Sequence, residues 1–313
     1  MRSSKELKKQ LVIAAVSVIL SAFALSSATY AWFATNSTVH ATTSTISAQA
    51  NGMVLQIVAG NTPEHGGKDA NTVASQNGHE ISPSSTNDAQ NWYVPSTWKA
   101  TDVSNYAKAN IVEKASGKYT QGGPEYYAYT LGNYTLYTVN NTGEADVYLD
   151  GSKGSPITIT KSDGASDEWF DKIKKSLRVG ILIDDELRVV YAPAEPTGHG
   201  NDVSFTNGWS CVNADDLSKT MAPTYEHLFG DSLVNDSGDW GAAKSGESYV
   251  KPSGTNPQKI AEKVNYNGTN LKIVIWMEGT DADCQNMSGL KPGTENPTFN
   301  VTVSLVGVVP DSN

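Results

Sequence analysis

Three carboxylates in one short loop are the residues of this chain whose types and spacing best suit chemistry. Glu278, Asp281 and Asp283 lie within six residues of one another, directly after an apolar run. Carboxylate oxygens this close together are ligands that Ca²⁺ prefers. The spacing does not match an EF-hand loop, and Asp is also common in solvated turns. The loop is therefore a calcium candidate with a solvated acidic turn as the alternative, and no other cofactor is expected.

The sequence lacks the patterns of the common hydrolases and nucleotide-binding enzymes. Its five histidines are isolated, and none of them begins an H-E-x-x-H motif. A P-loop, a G-x-S-x-G elbow and a C-x-x-C pair are also absent. We therefore expect a non-enzymatic protein.

The chain has two cysteines, Cys211 and Cys284. In an exported protein, two cysteines allow one disulfide with one connectivity. The alternative is a pair of separate buried thiols, because sequence alone does not show whether the two residues are close. A Cys211–Cys284 disulfide is the prediction tested below.

The first 31 residues have the three-part pattern of a secretory signal. A basic stretch is followed by an uncharged apolar run over residues 11–25 and then by small residues up to Ala28. This run is shorter than the roughly 20 residues that a membrane span needs. Cleavage after Ala28 and cleavage after Ala31 both fit, and an uncleaved anchor helix is the alternative. We expect a secreted or cell-surface protein that contacts the membrane only before cleavage.

Composition limits the partners and favours strands over helices. The 23 Lys and Arg residues against 33 Asp and Glu give a formal net charge of −10. A surface of this sign repels nucleic acid, so none is expected as a partner. Only 18% of the residues are charged, and Gly, Asn, Ser and Thr are abundant. That composition is typical of strands joined by long turns.

Alternating apolar residues predict several strands. Residues 46–59 indicate a strand, a turn and a second strand, and residues 179–191 indicate a hairpin. The run TVNNTGEADVYL has the pattern of another hairpin. Two long strands close the chain, with alternate residues of 271–277 and of 299–305 on one face each.

The remaining segments predict one helix and two insertions. Residues 166–177 form an amphipathic pattern with Ser166 as N-cap. The Gly- and Asn-rich segments 60–123 and 194–270 are predicted insertions, the first with packed aromatics at Trp92, Tyr93 and Trp98. The whole pattern predicts an all-β sandwich over residues 48–313, with a few short helices in its insertions and the N-terminal signal helix before it.

The N-terminal sequence TYAWFATNSTVHATTSTISA resembles the start of TasA/camelysin-type proteins, which are secreted fibre proteins of Gram-positive biofilm matrices. The run YTVNNTGEADVYL is similar to an Asn-Gly hairpin of that family. The resemblance is strongest over residues 29–57. It implies a jelly-roll sandwich, export through a dedicated signal peptidase, and polymerisation by donor-strand exchange. It also favours the cut after Ala31, in the order Thr29, Tyr30, Ala31 and then Trp32.

The segment 32–47 is the predicted donor strand. It is β-prone and runs from Trp32 and Phe33 through Val39 to Ile46. No Asp, Glu, Lys or Arg occurs in residues 32–59, and charged residues are one way in which proteins block strand addition. We expect it to complete the sheet of a neighbouring copy, which makes the chain itself the main partner in a homopolymeric filament. The alternatives are a disordered leader and an ordinary first strand of the chain's own domain.

Two other functions remain open at the sequence level. A monomeric surface adhesin or ligand-binding sandwich is the first, because six tyrosines at positions 126, 127, 129, 134, 137 and 148 could form a sugar-binding platform. A metal-dependent protease is the second, although the sequence offers no ligand pattern for one.

Overall fold

A computed structural model gives the fold. It describes residues 39–50, 55–65, 72–75, 79–95, 106–161, 170–171, 173–193, 211–212, 220–221, 224–230, 233–235, 238–246, 248–252, 257–285 and 298–310. The predicted signal segment 1–31 lies outside these residues. Among the described residues, no helix has the length and apolar character that a membrane span requires.

Strands make up most of the described chain. Those of the first half are β1 (Val39–Ala50), β2 (Leu55–Ala59), β3 (Thr72–Ser75), β4 (Glu80–Ile81), β5 (Pro83–Ser84), β6 (Tyr93–Pro95), β7 (Tyr106–Lys108), β8 (Ile111–Glu113), β9 (Lys118–Thr120), β10 (Glu125–Tyr127), β11 (Thr130–Thr138), β12 (Ala145–Asp150) and β13 (Ile157–Lys161). Those of the second half are β14 (Leu177–Ile183), β15 (Glu186–Ala192), β16 (Cys211–Val212), β17 (Thr220–Met221), β18 (Glu226–Phe229), β19 (Val234–Asn235), β20 (Gly238–Asp239), β21 (Gly241–Ser245), β22 (Ser248–Val250), β23 (Ala261–Val264), β24 (Thr269–Glu278) and β25 (Thr298–Val308). Short 3-10 helices span Gly151–Lys153, Lys174–Ser176 and Ala282–Gln285.

Two large sheets form a β-sandwich, as the sequence predicted. Sheet A has nine described strands in the order β22-β21-β12-β25-β1-β3, with β13 beside β25, β23 beside β12 and β4 beside β1. Sheet B has seven described strands in the order β18-β15-β14-β24-β11-β2, with β5 beside β24. One hydrophobic cluster draws side chains from both sheets and forms the core between them.

The two long closing strands supply the centre of that core. The predicted faces of β24 and β25 are confirmed, because all of these side chains are buried in the one cluster: Leu271, Ile273, Ile275, Met277, Phe299, Val301, Val303 and Leu305. Strand geometry explains this, since successive side chains point to opposite faces of a sheet.

The outer face of sheet B is covered as well. Val274 and Trp276 of β24 point away from the main core and pack in a second buried cluster. Trp92 and Tyr119, from the segment 60–123, belong to the same cluster. The aromatic packing predicted for Trp92 is therefore confirmed, and Tyr93 is buried too, while Trp98 lies outside the described residues. This insertion thus forms a third layer over sheet B.

The run TVNNTGEADVYL is not a hairpin, contrary to the prediction. Its first strand, β11, pairs with β2 and β24 in sheet B, whereas β12 pairs with β21, β23 and β25 in sheet A. The turn between them is closed by the Thr138 hydroxyl, which donates to the Asn140 and Gly143 carbonyls. The chain crosses between the sheets here because β11 and β12 both bury apolar side chains in the one core.

The predicted hairpin over residues 179–191 is confirmed as β14 and β15. Its loop has two residues, Asp184 and Asp185, with φ of 48° and 71°. Positive φ at both positions is the feature of a type I′ turn, whose twist matches that of the flanking strands. Glu186 was predicted in the turn but pairs with Ile183 as the first residue of β15.

The predicted helix is shorter than expected at its C-terminal end. Residues 170, 171 and 173 are helical, the 3-10 helix Lys174–Ser176 follows, and Leu177 already begins β14. Phe170, Ile173 and Leu177 are buried in the main core, as the amphipathic pattern predicted. Ser166 and Trp169 lie outside the described residues.

The segment 194–270 extends the sandwich more than it interrupts it. Its strand β18 adds to sheet B in parallel with β15, and β21, β22 and β23 add to sheet A. The domain also begins earlier than predicted, since β1 enters sheet A at Val39.

Candidate functional site

The N-terminal strand lies inside sheet A, one strand from its edge and beside the last described strand of the chain. β1 pairs with β25 in parallel from His40 opposite Thr298 to Ala50 opposite Gly307, with one irregularity between Ala41 and Thr43. We call this pairing the β1–β25 seam. It joins the first and last strands of the described chain through main-chain hydrogen bonds.

The other edge of β1 has only short partners. β4 pairs with β1 at two positions, Val39 with Ile81 and His40 with Glu80. β3 pairs with it over four positions, from Ser44 to Ser47. β25, in contrast, has β12 and β13 along its second edge. Without β1, therefore, β25 would present one long unpaired edge.

The structure places part of the predicted donor segment in the chain's own sheet. Val39 lies opposite Ile81, and Ile46 lies between Val303 of β25 and Val73 of β3. Within a single chain, residues 39–47 thus form an ordinary first strand, which is one of the alternatives that the sequence left open. Trp32 and Phe33 lie outside the described residues, as do the predicted cleavage residues Thr29, Tyr30 and Ala31.

The acidic loop after β24 contributes one partner of a buried ion pair. Arg178 of β14 lies across from Trp276 in the sheet, and its Nη2 atom is 2.5 Å from the Oδ2 atom of Asp281. Arg178 is 1% exposed and Asp281 is fully buried. Arg178 also donates through Nη1 to the carbonyls of Lys175 and Leu177. The guanidinium therefore ties the end of β24 to the start of β14.

Glu278 is a second buried carboxylate beside this pair. Its Oε2 atom accepts from Trp276 Nε1 at 3.1 Å. Its Oε1 atom accepts from the Thr280 amide at 3.1 Å and from the Thr280 hydroxyl at 2.6 Å. Burial raises the pKa of Glu278 above its ordinary value, and the charge of Arg178 opposes that effect.

The calcium candidate is not supported by this geometry. Glu278 and Asp281 are held by protein donors, and Asp283 contributes its backbone amide to Asp281 at 2.9 Å. Within the described ranges, no group of three His, Cys, Asp or Glu residues is placed to hold a metal ion. The sequence missed Arg178, the partner that decides the role of the loop. Its one signal was a charged residue at the start of an otherwise apolar strand.

Cys284 lies in the 3-10 helix that follows this loop. It is a buried free thiol, so the predicted disulfide to Cys211 is not formed in the structure. Burial raises the pKa of the Cys284 thiol, and the nearby carboxylates of Asp281 and Glu278 raise it further. The thiol is therefore protonated and unreactive in the folded protein. Cys211 is described only by its backbone, in β16 opposite Met221.

The six tyrosines do not form one platform. Tyr134 lies in the main core, Tyr129 in the cluster outside sheet B, and Tyr148 in a third cluster on sheet A. Tyr137 is buried and donates to Gln56 Oε1 at 2.9 Å. The spacing of these residues along the chain does not bring them together, because β10, β11 and β12 belong to three different sheets.

Comparison with known protein families, with curated proteins and with solved structures found no match to this chain. The resemblance to TasA/camelysin-type proteins therefore stays a prediction from residues 29–57.

Proposed function

We propose that this chain is a secreted, non-enzymatic structural subunit of extracellular fibres, in which the N-terminal segment 32–47 of one copy completes the sheet of the next. The observation that carries the proposal is the β1–β25 seam. A strand near the N-terminus supplies the long partner of the last strand, and it pairs there with no local connection between the two.

The topology of β1 makes exchange between copies feasible. β1 continues to the rest of the chain only through residues 51–54, after which β2 lies in the other sheet. A second copy of the same strand can make the same main-chain hydrogen bonds to β25. Strand addition of this kind is a recurring mode of protein assembly. When each copy donates in one direction and accepts in the other, the contact is head-to-tail and gives an open filament unless the rotation closes a ring.

The seam alone does not drive assembly. Exchange replaces one set of β1–β25 hydrogen bonds with an equivalent set, so its net contribution is close to zero. New contacts between copies must supply the driving force. Trp32 and Phe33 precede β1 and are the best residues for this, since burying two aromatic side chains contributes several kcal/mol at about 25 cal/mol per Å².

Export is supported by the signal pattern of residues 1–31. While the apolar run is in the membrane, the segment that follows it is tethered there and is less able to reach another copy. Cleavage, favoured after Ala31 by the resemblance, would free that segment. A signal peptidase is then the partner that starts assembly.

A pair of cysteines across the seam tests the proposal. Ser47 lies opposite Ser304, so the variant S47C/S304C, in a C211S/C284A background, can form a disulfide between neighbouring strands. The matched control is T158C/T302C, which joins β25 to β13 on its second edge. Filaments are grown, oxidised, and run on a denaturing gel without reductant.

Exchange predicts a ladder of covalent multimers from S47C/S304C and a monomer from T158C/T302C. A monomer from both variants, in preparations that contain filaments, would rule out exchange but leave the fibre function. Single particles under every condition, seen by electron microscopy of the processed protein, would overturn the fibre function and favour the monomeric surface protein.

A further inference from the structure

A pocket lies on the outer face of sheet B, away from the β1–β25 seam. Its volume is about 530 Å³, within the usual range for small-molecule sites. Its walls come from the sheet, from the β14–β15 turn and from the segment 60–123, and they include Gln90, Lys114, Tyr129 and Lys272. Three separate parts of the chain therefore converge on one concave site.

The floor of the pocket is apolar and rigid. Leu182 of β14 and Val274 of β24 line it, and both are buried. Tyr129 forms one side and packs against Trp92, with ring centroids 4.4 Å apart. Trp92 in turn makes an edge contact with Trp276. This aromatic row fixes the Tyr129 ring in place.

Hydrogen bonds hold the walls to one another. Gln90 Nε2 donates to the Asp185 carbonyl at 3.1 Å, which joins the insertion to the hairpin turn. The Tyr129 hydroxyl donates to the Lys114 carbonyl at 2.8 Å. Gly117, at φ +72°, lies in the turn between β8 and β9 that also carries Lys114. A Cβ atom at Gly117 would lie 2.8 Å from the Tyr129 carbonyl oxygen, so the turn packs closely against Tyr129. The backbone that carries Lys114 is therefore fixed before any ligand binds.

The charges of the pocket differ from those of the whole chain. Lys272 pairs with the Asp185 carboxylate at the rim. Lys114 makes no ion pair within the part of the chain that the structure describes. The pocket therefore carries one ammonium group in excess, on a chain whose formal net charge is −10. A local positive site of this kind favours an anionic ligand, and a carboxylate is one such group.

The mixture of side chains suits a ring with two kinds of surface. Leu182 and Val274 offer an apolar floor, and Gln90, Tyr129 and Lys272 offer polar groups around it. A pyranose has the matching form, with C–H faces and a rim of hydroxyl groups. We propose that this pocket binds an acidic sugar, a uronic acid whose ring lies on the apolar floor and whose carboxylate pairs with Lys114. This binding does not depend on filament assembly.

Isothermal titration of the purified protein with glucuronic acid tests the proposal. Glucose, with a similar ring but no carboxylate, and acetate, with a carboxylate but no ring, are the comparison ligands. We expect saturable binding of glucuronic acid and at least tenfold weaker binding of the other two, because glucose lacks the charge-assisted contact and acetate lacks the ring that would cover the apolar floor.

Variants of the lysines locate the site. Lys114→Met should weaken binding of glucuronic acid about tenfold, as loss of one charge-assisted contact would. The separate variant Lys272→Met should weaken binding more than Lys114→Met does, since the Asp185 carboxylate then repels the ligand. Lys244→Met, on β21 of sheet A, should bind like the unmodified protein. Circular dichroism checks that each variant is folded.

Three outcomes would overturn the proposal. The first is no saturable binding of glucuronic acid at millimolar concentration. The second is equal binding of glucose, and the third is unchanged affinity in a folded Lys114→Met variant.

Discussion

β24 and β25 are both long central strands of the sandwich, yet their surroundings differ. β24 is paired along its length with β14 and β11, and its two faces lie in two buried clusters. β25 is paired on one edge with β1, a strand near the N-terminus. Its outward residues Asn300, Thr302 and Ser304 are only half-buried. β24 is therefore paired on both edges and packed on both faces, whereas β1 is paired with β25 on one edge and only with short strands on the other.

The largest expected effect on folding stability comes from the buried ion pair of sheet B. Arg178→Met removes the guanidinium that faces the buried Asp281 and Glu278 carboxylates. Leaving a buried charge without its partner costs about 3–5 kcal/mol of folding stability. Urea unfolding at pH 7 measures this loss, and part of it should be recovered at pH 5, where the carboxylates take up protons more readily.

The control for that variant is Arg188→Met in the neighbouring strand β15. Arg188 is paired with Glu186 at 3.7 Å on the surface, and such pairs contribute about 0–1 kcal/mol. If both arginine variants lose the same stability, the buried pair does not anchor sheet B.

The second prediction compares β1 and β24 directly by amide hydrogen exchange. β1 is held by the long seam and by two short strands, and the proposed exchange requires that it separate without unfolding the sandwich. We expect its amides to exchange at least tenfold faster than those of β24, which open only with the whole domain. The β14 amides serve as the reference for global unfolding. Equal protection of β1 and β24 would mean that the first strand is as fixed as the rest.

The sequence predicts some parts of this structure better than others. The cores of β24 and β25 follow from a period of two, because one face of each strand is apolar. The hairpin at Asp184 and Asp185 follows from turn chemistry. Neither signal reports what covers the second face, so the aromatic layer around Trp276 was predicted only as packing within an insertion.

Long-range contacts account for most of what the sequence did not predict. Arg178 and Asp281 are 103 residues apart in the chain, and no local pattern joins them. The same reasoning explains the missed crossing between β11 and β12, because a short turn between two strands fits a hairpin and a crossing equally well. The pocket was also missed, since Gln90, Tyr129 and Lys272 meet only through the fold.

The third prediction concerns the pH dependence of folding stability, which the buried Glu278 carboxyl at the end of β24 should influence. Burial raises the pKa of Glu278 above its ordinary value of 4.5. The folded protein therefore holds this proton at a pH where the unfolded chain has lost it. The contribution to stability is present below about pH 4.5 and is lost as the pH rises through the folded pKa, by about 1.4 kcal/mol for each unit of the shift.

Glu278→Gln should flatten the fall in the free energy of unfolding above pH 4.5. The control is Glu262→Gln, whose side chain is largely exposed and should leave the slope unchanged. Urea titrations at several pH values give both slopes. An equal or steeper fall in Glu278→Gln would mean that another group controls the pH dependence.

The smallest expected effect on stability comes from changes in the segment that precedes β1. The same changes should abolish assembly. Deleting residues 32–38 removes Trp32 and Phe33 but leaves β1 and its pairing with β25 intact. The free energy of unfolding should change by less than about 0.5 kcal/mol, because the pairing of β1 is retained. Filaments should not form, because the contacts that favour exchange over self-pairing are gone.

The control for segment length is the double variant Trp32→Ser and Phe33→Ser, which keeps all residues of the segment and should give the same result. It distinguishes the loss of the two aromatic side chains from the shortening of the segment. Electron microscopy and sedimentation of the processed proteins measure assembly. If the deletion polymerises like the unmodified chain, contacts other than those of Trp32 and Phe33 drive assembly.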